Sequence, residues 1–153
     1  MCNDPRMQRR PIAYAAAGLV TLVALGLTYD ALVETDEERI EAFADAVTGE
    51  VTSEKIAEAL AWCDTGRQPV EVYLMGESRL YESDSDLADR ARQGMSRFMG
   101  QDLRPLNRNV EVDGDRASLR VRVMNSQLGM VNAAFEFRKR GDEWLLSTVR
   151  ITR

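Results

Sequence analysis

The chain has 153 residues, 44% of them hydrophobic and 29% charged, which puts it in the globular range with room for about one domain beside a membrane segment. A formal net charge of −5 argues against nucleic acid as a general partner, because phosphate binding needs a clustered excess of Lys and Arg. There is no histidine, and the cysteines are Cys2 and Cys63; Ser-His and Cys-His nucleophile pairs, imidazole metal sites, thiolate zinc clusters and a disulfide-dense scaffold are excluded, and no cofactor is expected.

Residues 1–11 are basic, with Arg6, Arg9 and Arg10, and from Ile12 to Tyr29 the sequence IAYAAAGLVTLVALGLTY carries no charge. As a helix that run covers about 27 Å, close to the hydrocarbon thickness of a bilayer. Tyr14 and Tyr29 near its ends suit the headgroup level, and Asp30, Glu34, Asp36, Glu37 and Glu38 follow it. Positive charge stays inside, which predicts a single-pass signal anchor at the cell membrane. Its parts are a cytoplasmic segment 1–11, a transmembrane helix 12–29, a linker 30–34 and an extracytoplasmic domain 35–153, periplasmic in a bacterium.

A cleaved secretory signal is the alternative, with Ala24-Leu25-Gly26 as an A-x-A-like site, although apolar character continues through Leu27 and Tyr29. A buried helix of a soluble protein is a third reading. Cys2 precedes the apolar run, unlike the modified cysteine of a lipoprotein. Ala13, Ala17, Thr21, Ala24 and Thr28 make a small-residue stripe along which two such helices can approach, so a homodimer stays open.

After Thr35 the segment DEERIEAFADAV repeats apolar residues at Ile40, Phe43, Ala44 and Val47, the spacing of an amphipathic helix that ends near Gly49. Thr52 is placed to cap a second helix, TSEKIAEALAWC, whose Ile56, Leu60 and Cys63 share a face, with Asp64-Thr65-Gly66 as its stop. Pro69 to Met75 alternates as a half-buried strand does, closed by Gly76. Ser83-Asp84-Ser85-Asp86 signals a third helix with a stripe of Leu87, Ala91, Met95 and Phe98, and Gly100 stands where a left-handed cap would.

From Asn107 the period changes to two. Val110 and Val112, a turn at Asp113-Gly114-Asp115, then Ala117, Leu119, Val121 and Val123 make the strongest hairpin signal. Val131, Ala133, Phe135 and Phe137 line the next strand, and Arg140-Gly141-Asp142 leads into WLLSTVRI. Leu145, Val149 and Ile151 would share the apolar face of that last strand, with Trp144 and Leu146 on its opposite face.

This order, and the closing segments DGDRASLRVRV and FEFRKRGDEWLLSTVRI, resemble the nuclear-transport-factor-like, or cystatin-like, superfamily over roughly Thr35 to Arg153. The resemblance implies an α+β fold in which a curved antiparallel sheet packs against about three helices. It carries no catalytic signature, and the superfamily hosts enzymes, binders and assembly modules alike.

A pocket on the sheet's concave side would draw on Trp62, Tyr73, Phe98, Phe135, Phe137 and Trp144, unless these rings simply pack the core. Catalysis there would need a carboxylate or phenol, for which Asp64, Glu71, Tyr73 and Asp102 are nearest in sequence. Arg120, Arg122, Arg138 and Arg150 fall on the polar sides of their strands, as a basic band for an anionic partner or as an ordinary solvated surface. The expectation is a membrane-tethered, non-enzymatic domain for protein association in the cell envelope, with a small-molecule binder or carboxylate-dependent enzyme as the alternative.

Overall fold

The computed structural model describes residues 34–153. The segments read as basic leader and membrane helix, 1–29, lie outside the described residues, as does most of the linker. No helix among the described residues is long and apolar enough to cross a membrane.

Helix α1 spans Asp36–Ala46. Its first turn carries Asp36, Glu37 and Glu38, where negative charge meets the positive end of the helix dipole. Ile40, Phe43 and Ala44 are fully or nearly fully buried. The Lys55 ammonium closes its C-terminal end by donating to the carbonyls of Asp45 and Thr48, where the helix leaves acceptors without partners. Gly49, at φ +81°, turns the chain into the two-residue strand β1, Gly49–Glu50.

Helix α2, Ser53–Leu60, starts as expected at Thr52, whose hydroxyl accepts from the Lys55 amide at 3.2 Å. It ends before Trp62 and Cys63, which lie in the following turn. There the Trp62 carbonyl accepts from the Leu146 amide at 2.8 Å and ties the turn to the last strand.

Strands β2, Val70–Leu74, and β3, Glu77–Tyr81, form a hairpin. Met75 and Gly76 both have positive φ, 51° and 92°, as a two-residue hairpin turn of the primed type requires. Strand β3 is not anticipated from the sequence, because it alternates weakly and four of its five residues are exposed. Helix α3, Asp84–Met95, is capped by Ser83 and followed by a 3₁₀ turn at Ser96–Phe98. Of the expected stripe Leu87 is buried, while Ala91, Met95 and Phe98 are half-buried.

Strands β4 (Asp102–Asp113), β5 (Arg116–Asn125), β6 (Gly129–Arg140) and β7 (Glu143–Thr152) run consecutively antiparallel. The seven-stranded order is β1-β4-β5-β6-β7-β2-β3. Among the described residues only β2 and β7 pair in parallel. The architecture among the described residues is α+β, an antiparallel-rich sheet with three α-helices, curved where bulges bend its strands.

One such bulge resolves the last strand. Register shifts between Glu136 and Phe137, so that Phe137 faces Leu146 while Glu136 faces Thr148. Ser147 is the extra residue, its hydroxyl donating to the Glu136 carbonyl at 2.9 Å. Trp144 and Leu146, expected on the face opposite Val149 and Ile151, therefore share the core side with them. Leu145 is buried on the other face. A second bulge between Pro105 and Asn107 sets Leu106 out of the β4 ladder.

Candidate functional site

The core lies between α1 and one face of the sheet. Phe43 meets Trp62, Phe135 and Phe137 with ring centroids 5.0–5.5 Å apart in edge-to-face contact, and Trp62 meets Phe137 at 5.8 Å, the geometry favoured by ring quadrupoles. Three of the six aromatics considered as pocket lining, Trp62, Phe135 and Phe137, are thus packed around Phe43. Trp144 is also buried, and its indole Nε1 donates to Asp36 Oδ1 at 2.9 Å. Phe98 is half-buried in the 3₁₀ turn. Tyr73 points the other way, beneath the Arg150 guanidinium at 4.7 Å.

The carboxylates and phenol considered for catalysis are scattered. Asp64 accepts from the Arg67 amide at 3.1 Å and closes its own turn. Asp102 is exposed at the start of β4. Glu71 and Tyr73 are neighbours on β2, and the Glu71 carboxylate pushes the Tyr73 hydroxyl above its ordinary value, with desolvation adding to it.

A second locus lies between α2 and α3, a depression of about 290 Å³ at the Cys63 thiol, Asp84 and Arg92. Burial pushes the Cys63 thiol up to about 12, with the Asp84 carboxylate adding to the shift. A thiol so held is almost wholly protonated near neutral pH and is a poor nucleophile.

The larger depression, about 380 Å³, opens on the sheet face turned away from α1. Alternation along β5 sends Leu119, Val121 and Val123 into the core and turns Arg120 and Arg122 outward. Register then assembles the site across four strands: Asn109, Arg120, Ala134 and Arg150 form one row, and Asn107, Arg122, Asn132 and Thr152 the next. Three of the four arginines of the expected basic band meet here, and none of the lining residues is acidic. Arg138 does not line it and lies in a different row, between Arg116 and Leu145.

The bulge at Ser147 is what brings Arg150 in. In an unbulged strand of this same sequence, the face that buries Trp144 and Leu146 would also hold Arg150.

Within the depression Arg122 Nε donates to Asn132 Oδ1 at 2.9 Å, which fixes the plane of that guanidinium. The Arg120 guanidinium makes no hydrogen bond or ion pair among the described residues. Asn109 Nδ2 donates to Glu111 Oε1 at 3.0 Å, leaving its carbonyl oxygen as an acceptor at the rim. Such a set of forked donors and carboxamides suits a carboxylate or phosphate together with neighbouring amide or hydroxyl groups. The asparagines were not singled out from the sequence. Counting outward from the turn at Gly114 pairs Asn109 with Arg120 and Asn107 with Arg122, and is the signal that would have found two of them.

No family model matches the chain and no curated protein does. Solved structures are similar. A DUF4783 family protein from Bacteroides uniformis shares 15% identity with a TM-score of 0.52, over 78% of this chain and 97% of that one. A protein of unknown function with a cystatin-like fold from Nostoc punctiforme shares 14% at a TM-score of 0.54, over 76% and 91%. An NTF2-like protein of unknown function from Pseudomonas putida shares 14% at a TM-score of 0.57, over 76% and 84%. The described domain therefore has the fold of the NTF2-like and cystatin-like proteins, which is the resemblance read from its element order. At these identities the likeness carries no residue role.

Proposed function

We propose that the chain is a membrane-tethered, extracytoplasmic, non-enzymatic module of the cell envelope that associates with a protein partner through the outer face of its sheet. The observation that carries the association surface is the convergence of Arg120, Arg122 and Arg150 on one depression free of acidic lining residues. Arginine forks desolvate more readily than ammonium groups and fit carboxylates in two-point contact, so a surface of this composition serves recognition. The tether rests on the uncharged run from Ile12 to Tyr29 and the sign of the charges that flank it. A domain held at a membrane meets its partner at raised effective concentration, so contacts of modest strength suffice.

Photocrosslinking from a benzoylphenylalanine replacing Asn132, on the outer face, against one replacing Ala57, on the exposed side of α2, tests the surface. A crosslinked protein product from the Asn132 position alone is the expected result. Products from Ala57 alone would move the partner to the helices. Loss of a chemical activity on changing one carboxylate in a variant that still folds would replace association with catalysis.

A further inference from the structure

We infer that the outer face of β5 is a template for an extended peptide carrying an acid, a second acid and an apolar residue at alternate positions. This deepens the reading of that face as the partner surface and rests on it. The outward residues of β5 run Arg120, Arg122, Met124, each about 6.8 Å from the next at the rise of an extended chain. An extended peptide lying along β5 has the same repeat, so its own alternate side chains fall in register with these three. Arg120 has no hydrogen-bond or ion-pair partner among the described residues, and Arg122 is held by Asn132 through Nε, which leaves its terminal nitrogens for a carboxylate. The flanking carboxamides of Asn107 and Asn109 carry both donors and acceptors, as peptide groups require.

At the third position the two residues on β5 and β6 are apolar and the one on β4 is basic. Met124 pairs in register with Met130 on one side and with Arg104 on the other, and the β4 bulge sets Leu106 out of the ladder. Met124, Met130 and Leu106 are exposed, at 38%, 47% and 47%, and methionine adapts its shape to an apolar visitor. The opposite limit is electrostatic. Beyond Arg120 the next outward residue of β5 is Ser118, flanked by Glu111 and Glu136, which repel a third acid. A short acidic stretch fits between these limits, and a long polyanion does not, since the whole chain is itself negative at −5.

The test uses the full chain in neutral detergent and fluorescent peptides containing Asp-Thr-Asp-Thr-Leu or its reverse, against the same residues with the acids adjacent. Fluorescence anisotropy should show one alternating peptide binding about 10-fold more tightly than its rearranged form, and about 10-fold more weakly to Arg120→Gln or Arg122→Gln. Met124→Ser should weaken the peptide with Leu and leave unchanged one with Thr in its place. Unaltered melting curves of the Arg variants would confirm that they fold. Equal binding of alternating and rearranged peptides overturns the template. So does binding indifferent to both Arg changes, or binding to vesicles of about 30% phosphatidylglycerol with no peptide bound. Concentration-dependent self-association abolished by the Arg changes would assign the face to a second copy instead. If crosslinks form from position 132 while no peptide is preferred, the template falls and the association surface stands; if neither occurs, both fall.

Discussion

Asp36 joins the start of α1 to the far hairpin. Its carboxylate accepts from Lys139 Nζ at 3.0 and 2.7 Å and from Trp144 Nε1 at 2.9 Å, and the Lys139 ammonium lies 5.4 Å from the Trp144 ring centre. The hydrogen bond from Lys139, then that from Trp144, holds the carboxyl below its ordinary value. The stabilisation linked to a depressed carboxyl is fully present above about pH 4 and is lost as pH falls through the lower folded value. Asp36→Asn should cost about 1 kcal/mol at neutral pH, a melting shift of roughly 4 °C, because the pair is one-third exposed and partly screened. The variant should also lose stability less steeply than the parent below about pH 4. Thermal melts between pH 2 and 7 check both, and parallel pH curves would contradict the assignment. In a Cys2→Ser background, the reaction of Cys63 with a thiol reagent should still climb about tenfold per pH unit between roughly pH 8 and 10. A plateau near pH 9 would show an ordinary thiol.

Strand β7 decides which side chains meet, and Ser147 decides β7. Inserting one alanine between Ser147 and Thr148 shifts every residue beyond the bulge by one position and so exchanges their faces. Either Trp144 and Leu146 or Val149 and Ile151 must then leave the core, and loss of cooperative unfolding is expected by circular dichroism. Ser147→Ala, which removes only the bond to the Glu136 carbonyl, should cost about 0.5 to 1 kcal/mol. An insertion variant as stable as the Ser147→Ala variant would refute the role of the bulge. The same residue marks where the sequence was legible. Strict alternation in Ala117–Val123 and Val131–Phe137 identifies the β5 and β6 core faces, because every second position there is apolar. In WLLSTVRI two such patterns adjoin out of phase, and a reading with one period must misplace one of them; the phase of Val149 turns Arg150 outward correctly and turns Trp144 away. Strands β1 and β3 escape because pairing with neighbours, not burial, makes them strands. The depression joins residues from four strands, so it becomes visible only once both hairpin registers and the bulge are known.

The two faces of the sheet divide the labour of the domain. One is closed by interlocked rings under α1, and the other is an open surface whose arginines do little for folding. Arg120→Gln together with Arg122→Gln should change stability by less than about 0.5 kcal/mol. Adding Arg150→Gln, which removes the stacking on Tyr73, should cost about 0.5 kcal/mol more. Urea unfolding of the double and triple variants measures both, and collapse of the double variant would mean that these side chains are structural. The position of the domain relative to the membrane is testable in cells. A membrane-impermeant thiol reagent should label an Asp113→Cys variant in intact cells, once any outer membrane is permeabilised, while Cys2 stays protected. The reverse pattern would invert the proposed topology.

The hairpin β2–β3 joins the rest of the sheet through its parallel pairing with β7, where Glu71 sits beside Thr148. The three hairpins from β4 to β7 are each closed by short turns and can zip in sequence, whereas this contact spans most of the domain's length. Its entropy of closure must be met before any reward arrives, which slows folding. The pairing that forms against that cost is also poised to open first. Native-state hydrogen exchange should find the amides of Val70–Leu74 and Glu77–Tyr81 opening together, at a lower free energy than those of β5 and β6. The domain would then breathe as a wing hinged on β7, beside Arg150, so that whatever settles on the outer face between Arg150 and Tyr73 also holds the wing shut.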